Sequence, residues 1–119
     1  MRLKTTGNRP ATIQGIQPET VFAMHVADGV LKRIARSRLF GAGGEGGPPE
    51  EMVITSCTDG KEWRTPQSKH RTGHAFDIRI RDLPDSAWRT LAAQIAEALG
   101  KEFDVVLEKD HIHVEFDPK

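Results

Sequence analysis

A chain of 119 residues suits one domain with one core, and at that size it buries roughly 65% of its unfolded surface without disulfides or other staples. Its 17 basic and 17 acidic residues cancel, so it lacks the basic excess expected of an electrostatic nucleic-acid binder. The single cysteine, Cys57, excludes an intrachain disulfide and a cysteine-rich zinc site.

Residues 1–17 are mixed and read as an irregular arm with room for a short strand. They hold no apolar run like a signal-peptide core, and no stretch nears the ~20 apolar residues of a membrane span. The chain is therefore expected to be made in the cytoplasm without a signal peptide. Pro18-Glu19-Thr20 starts a helix, with proline in the first turn and an acid at the positive dipole end. Ala23, Val26, Ala27, Val30, Leu31 and Ile34 follow at helical spacing. Gly29 inside this helix costs about 1 kcal/mol relative to alanine. His25 reads as exposed or structural. The run Lys32, Arg33, Arg36, Arg38 reads as a solvated helix end favoured by the dipole.

The Gly-rich stretch 41–47 is a flexible connector; no Gly-Lys-Ser/Thr ends it, which removes a phosphate-loop reading. Met52 to Ser56 is a β-rich strand, and Cys57 beside it reads as a small packing residue rather than a nucleophile. Residues 58–69 are polar and loop-like. Ala75 to Ile80 alternates as a second strand. Pro84-Asp85 opens a second helix with Trp88, Leu91, Ala92, Ile95, Ala98 and Leu99 on one face, and Gly100 closes it. Phe103 to Leu107 and His111 to Phe116 form a hairpin around Glu108-Lys109-Asp110. The order predicts an α+β fold, a small antiparallel sheet with two main helices, in one domain over residues 1–119.

Four of the five histidines fall into two clusters, Ser68-Lys69-His70-Arg71-Thr72-Gly73-His74-Ala75-Phe76-Asp77 and Asp110-His111-Ile112-His113. Helical zinc peptidases pair histidines at i and i+4 with a Glu beside the first, but Arg71 stands there, and Gly73 disfavours a helix. The alternative makes His70 a loop ligand and Asp77 a strand ligand, with Gly73 allowing a sharp turn and Ala75 leaving space. His74 then drops out of the metal shell. His111 and His113 are two apart and share a face of a strand, so both can touch one site. Imidazole and carboxylate donors suit zinc without excluding other divalent metals. Three protein ligands leave a position open for water, the arrangement of a hydrolase.

Ser68-x-His70-x-x-Gly73-x-Ala75-x-Asp77 followed by His111-x-His113 resembles the zinc D-alanyl-D-alanine carboxypeptidases. That family also includes D-Ala-D-Ala dipeptidases and the L-alanyl-D-glutamate endopeptidases of phage endolysins. The resemblance covers roughly residues 50–117. It implies the small α+β fold shared with the hedgehog signalling domain, and Zn2+ on His70, Asp77 and His113. It implies hydrolysis of a peptide bond in bacterial peptidoglycan stem peptides, by a carboxypeptidase or an endopeptidase. A carboxylate takes the proton of the attacking water and returns it to the leaving amine. The family places that acid three residues before the last ligand, at Asp110, where many members have Glu; Glu108 in the same turn is the substitute. His111 then stabilises the oxyanion or orients substrate, and Ser68 hydrogen-bonds near the metal or the substrate.

One position departs from the family. The arginine that follows the first strand in many relatives is missing from Thr55-Ser56-Cys57-Thr58-Asp59-Gly60. Arg64 or Arg71 is expected to supply that charge, with Lys61 a weaker choice. The missing arginine also leaves room for an alternative, a non-catalytic zinc-containing wall-binding or phage structural module. A short chain of this kind resembles phage-encoded members released at lysis to act on the cell wall. No nucleic acid or membrane partner is expected, and the chain is expected to be a monomer.

Overall fold

The computed structural model describes residues 1–5, 10–36, 51–60, 64–81 and 83–118. Along them run β1 (Arg2–Leu3), α1 (Pro18–Arg36), β2 (Val53–Ser56), β3 (Ala75–Arg79), α2 (Asp85–Leu99), β4 (Phe103–Leu107) and β5 (His111–Phe116). The Gly-rich stretch 41–47, Arg38 and Lys61 lie outside the described residues.

The proline of α1 sits where its missing N–H costs nothing, and Glu19 faces the positive end of the helix dipole. Ala23, Ala27, Val30, Leu31 and Ile34 are buried as their spacing predicts. Met24 joins them, whereas Val26 is only half-buried, so the apolar stripe is rotated slightly from the predicted one. In α2 the buried face is Ala87, Leu91 and Ile95, and Gly100, at φ 86°, ends the helix with its N–H on the Ala96 carbonyl. Trp88 Nε1 donates to the carbonyls of Ile80 and Leu83, tying α2 to the end of β3.

The fold is α+β, and the five strands among the described residues are ordered β1-β2-β3-β5-β4. The predicted sheet was antiparallel throughout; the observed sheet is mixed, because β1 runs parallel to β2. A parallel neighbour requires a long crossover, and the segment containing α1 provides it. The other pairings are antiparallel.

Strand alternation divides this sheet into two faces of different chemistry. Ile54, Phe76, Ile78, Ile112 and Val114 join the core with the buried residues of α1 and α2. Burying side chains of this size contributes about 1.5–3 kcal/mol each. The alternate positions of β3 and β5 face away from the helices. Register sets Asp77 opposite His113, Arg79 opposite His111, and Ala75 opposite Glu115. A bulge between Ile54 and Ser56 brings Ser56 opposite Asp77 on the other side. The histidines of β5 and the aspartate of β3 are thus set side by side by hydrogen-bonded register.

Candidate metal centre

His70 comes from outside the sheet. Residues 65–74 form successive turns, with Ser68 N on the Thr65 carbonyl, Arg71 N on Ser68, Gly73 N on His70 and His74 N on Lys69. No helix forms there, as expected from Gly73. Its φ is 81°, and a Cβ on it would run into the backbone of Gly15 and Ile16. Gly73 therefore does more than turn the chain. Its carbonyl accepts bonds from Gln17 N at 3.1 Å and Thr20 Oγ1 at 2.6 Å, which lock the His70 loop onto the start of α1.

That loop delivers His70 into the sheet face at 4% exposure, beside Asp77 at 8%. His70 Nδ1 lies 2.8 Å from the Cys57 carbonyl. A carbonyl can only accept, so Nδ1 donates to it, and Nε2 is the ring nitrogen that faces Asp77. Asp77 Oδ1 then has His113 Nδ1 at 2.9 Å, His70 Nε2 at 3.3 Å and His111 Nε2 at 3.8 Å. Donor atoms of His70, Asp77 and His113 all lie within 4.8 Å of one another. Two imidazoles and a carboxylate, mostly buried and converging, form a group that could bind a metal ion. The donor set fits a borderline ion such as zinc, and the Cys57 carbonyl supplies the outer bond that fixes a ligating histidine's tautomer.

The local electrostatics follow from this packing. Burial pushes the Asp77 carboxyl up, but hydrogen bonds from His113 and His70 outweigh it and hold the carboxyl well below its ordinary range. The bond to Asp77 raises the His113 imidazolium above its ordinary value; burial opposes this and Glu115 reinforces it. His113 lies between two carboxylates, with Nδ1 2.9 Å from Asp77 Oδ1 and Nε2 2.9 Å from Glu115 Oε1. Cys57 is fully buried, and burial, followed by Asp59 and Asp77, pushes its thiol up to about 12. It is a packing residue, as expected, and its backbone carbonyl rather than its sulfur serves the site.

A cleft of about 560 Å³ opens over the centre, lined by Arg64, Gln67, Ser68, Lys69, His70, Asp77, His111, His113 and Glu115. Arg64 is anchored there: Nη2 donates to Ser56 Oγ at 2.7 Å and Nε to the Asp59 carbonyl at 3.1 Å. Asp59 organises the turn by accepting from Ser56 Oγ and the Cys57 N–H. The segment Thr55 to Gly60, which has no arginine of its own, thus holds Arg64 over the cleft. Ser68 lines the cleft, and its Oγ accepts the His70 N–H at 3.3 Å.

The remaining expected residues stand further off. Arg71 is exposed and is not among the cleft-lining residues. Asp110 has a side chain 84% exposed, and its Oδ1 lies 2.6 Å from His111 Nδ1. That contact lowers the Asp110 carboxyl below its ordinary value. Glu108 is exposed at the hairpin, its backbone N–H bonded to the His111 carbonyl, and does not line the cleft. His74 bonds Thr72 Oγ1 and stacks on Phe116, away from the metal group, as expected.

Glu115 is the site residue that sequence reasoning missed. Its signal was present: His111, His113 and Glu115 sit at i, i+2 and i+4 of one strand and therefore share a face. No family model, no curated protein and no solved structure matches the chain.

Proposed function

We propose that the chain is a zinc-dependent peptidase that hydrolyses a peptide bond in bacterial peptidoglycan stem peptides, of the D-Ala-D-Ala carboxypeptidase or L-Ala-D-Glu endopeptidase type. The observation that carries this reading is the convergence of His70, Asp77 and His113 beneath an open cleft. The two-part motif that resembles the zinc D-alanyl-D-alanine carboxypeptidases names the same three residues. Zinc on these donors supplies a Lewis acid that polarises a carbonyl and makes a water molecule acidic near neutral pH.

The chain's own residues do the rest. His70 is oriented by the Cys57 carbonyl and His113 by Glu115, so both rings are set before substrate arrives. Arg64, fixed by Ser56 and Asp59, presents its guanidinium to the carbonyl or carboxylate of a bound peptide. His111 faces the cleft, and Asp110 backs its Nδ1 at 2.6 Å. In this geometry the two act as a pair. In place of the expected base Asp110, which is exposed and bonded to His111, His111 Nε2 takes the proton of the attacking water, and Asp110 Oδ1 stabilises the imidazolium until the proton passes to the leaving amine. By this reading the enzyme acts on the bacterial cell wall.

Zinc-loaded protein incubated with muropeptides is expected to release D-Ala or to split L-Ala–D-Glu, read by mass spectrometry. A loaded sample that leaves every muropeptide intact removes the peptidase reading. The exposure of Asp110 favours one second reading, a wall-binding or phage structural module that retains metal without turnover. Sacculus binding without cleavage supports that module. Turnover that disappears in Asp110→Ala disposes of it.

A further inference from the structure

A second hollow of about 350 Å³ adjoins the metal cleft on the same sheet face, lined by Lys4, Thr55, Arg79, Arg81, Asp110 and His111. His111 lines both, so the two form one groove with the imidazole between them. The topology gathers the basic residues. Lys4 continues β1, its N–H on the Ile54 carbonyl of β2, while Arg79 ends β3 directly opposite His111 of β5. Arg81 follows two residues on. Adjacent strands thus place Lys4, Arg79 and Arg81 around one concave surface, and among the described residues Asp110 is the carboxylate in its lining, bonded to His111.

We propose that this hollow is an anion subsite that takes a carboxylate of the substrate peptide, on the far side of His111 from the metal group. The identity of the ligand rests on the peptidase reading above; the anion preference rests on the hollow itself. Stem peptides carry two such carboxylates, the terminal one on D-Ala and the α-carboxylate of the γ-linked D-Glu. Guanidinium groups on Arg79 and Arg81 suit either, since each offers a planar fork of N–H donors, and Lys4 adds a point charge. The subsite supplies, together with Arg64, the positive charge that the segment Thr55 to Gly60 lacks.

The test uses small probes without a peptide bond to cut: N-acetyl-D-alanine and N-acetyl-D-glutamate γ-methylamide, each as the free acid and as the corresponding amide. Dissociation constants are read by chemical-shift titration of the full chain, with and without zinc. At least one acid is expected to bind about tenfold more tightly than its amide, with shifts centred on Lys4, Arg79, Arg81 and His111. Which acid wins identifies the carboxylate that is read. That preference is expected to fall in Arg79→Gln and Arg81→Gln, to survive in part in Arg79→Lys, and to weaken with added salt. Lys4→Gln provides an independent variant should either arginine variant fail to fold. Equal affinity for acids and amides, or a preference unchanged in folded variants, overturns the subsite. Acid-selective binding in a protein that cleaves no muropeptide supports the subsite and removes the peptidase reading; cleavage without acid preference does the reverse.

Discussion

Glu115 is placed to decide how well His113 serves as a ligand, because it holds the ring nitrogen that faces away from Asp77. Glu115→Gln keeps shape and removes charge. Zinc affinity is expected to fall by about tenfold to a hundredfold, measured by competition with a chromophoric chelator. His70→Ala should abolish measurable binding in the same assay. An unchanged affinity in Glu115→Gln contradicts the positioning role. The pair Asp77–His113 also sets a pH dependence. A depressed Asp77 stabilises the fold above about pH 4 and loses that contribution as pH falls through its folded pKa. A raised His113 stabilises below about pH 6.5 and loses that contribution as pH rises through its folded pKa. Metal-free protein is therefore expected to melt highest between those limits. Zinc needs neutral imidazole and should move the maximum upward, a shift that melting curves across pH will register.

Two glycines test the element-level account with opposite signs. Gly29 lies inside α1 with open space where a Cβ would stand, so Gly29→Ala is expected to stabilise by about 1 kcal/mol in denaturant unfolding. Gly73 has a positive φ and the backbone of Gly15 and Ile16 against it, so Gly73→Ala is expected to cost roughly 2 kcal/mol or more. Equal effects at the two positions contradict this reading of their backbones. The helices and strands were legible in the sequence because each carries its own period and its own punctuation: Pro18 and Pro84 at the starts, Gly100 at an end, alternation in β3 and β5. The direction of β1 was not, since a two-residue strand has no period and its partner lies across α1. The residues of the candidate metal group were legible as residue types at fixed spacing. The bond from His70 to the Cys57 carbonyl was not, because any residue offers a carbonyl there. The anchoring of Arg64 and the gathering of Lys4, Arg79 and Arg81 depend on strand order, which local pattern does not encode.

Across the whole molecule, the candidate metal group draws its three residues from separate parts of the chain. His70 sits in a loop locked to α1, Asp77 on β3 and His113 on β5, so an ion on all three couples them. Metal that binds only the folded chain adds about 2.7 kcal/mol at a hundredfold excess over Kd, or roughly 10 °C for a chain of this size. A melting temperature unchanged by verified metal removal contradicts that coupling. The claim on which the functional reading depends is that this centre performs hydrolysis. The most direct measurement is muropeptide digestion, read by mass spectrometry, by protein loaded with zinc, stripped by chelator and reloaded, beside His70→Ala. Cleavage is expected in the loaded and reloaded samples and in neither the stripped protein nor the variant. Cleavage that persists after stripping or in His70→Ala, or that is absent from the loaded protein, contradicts the claim.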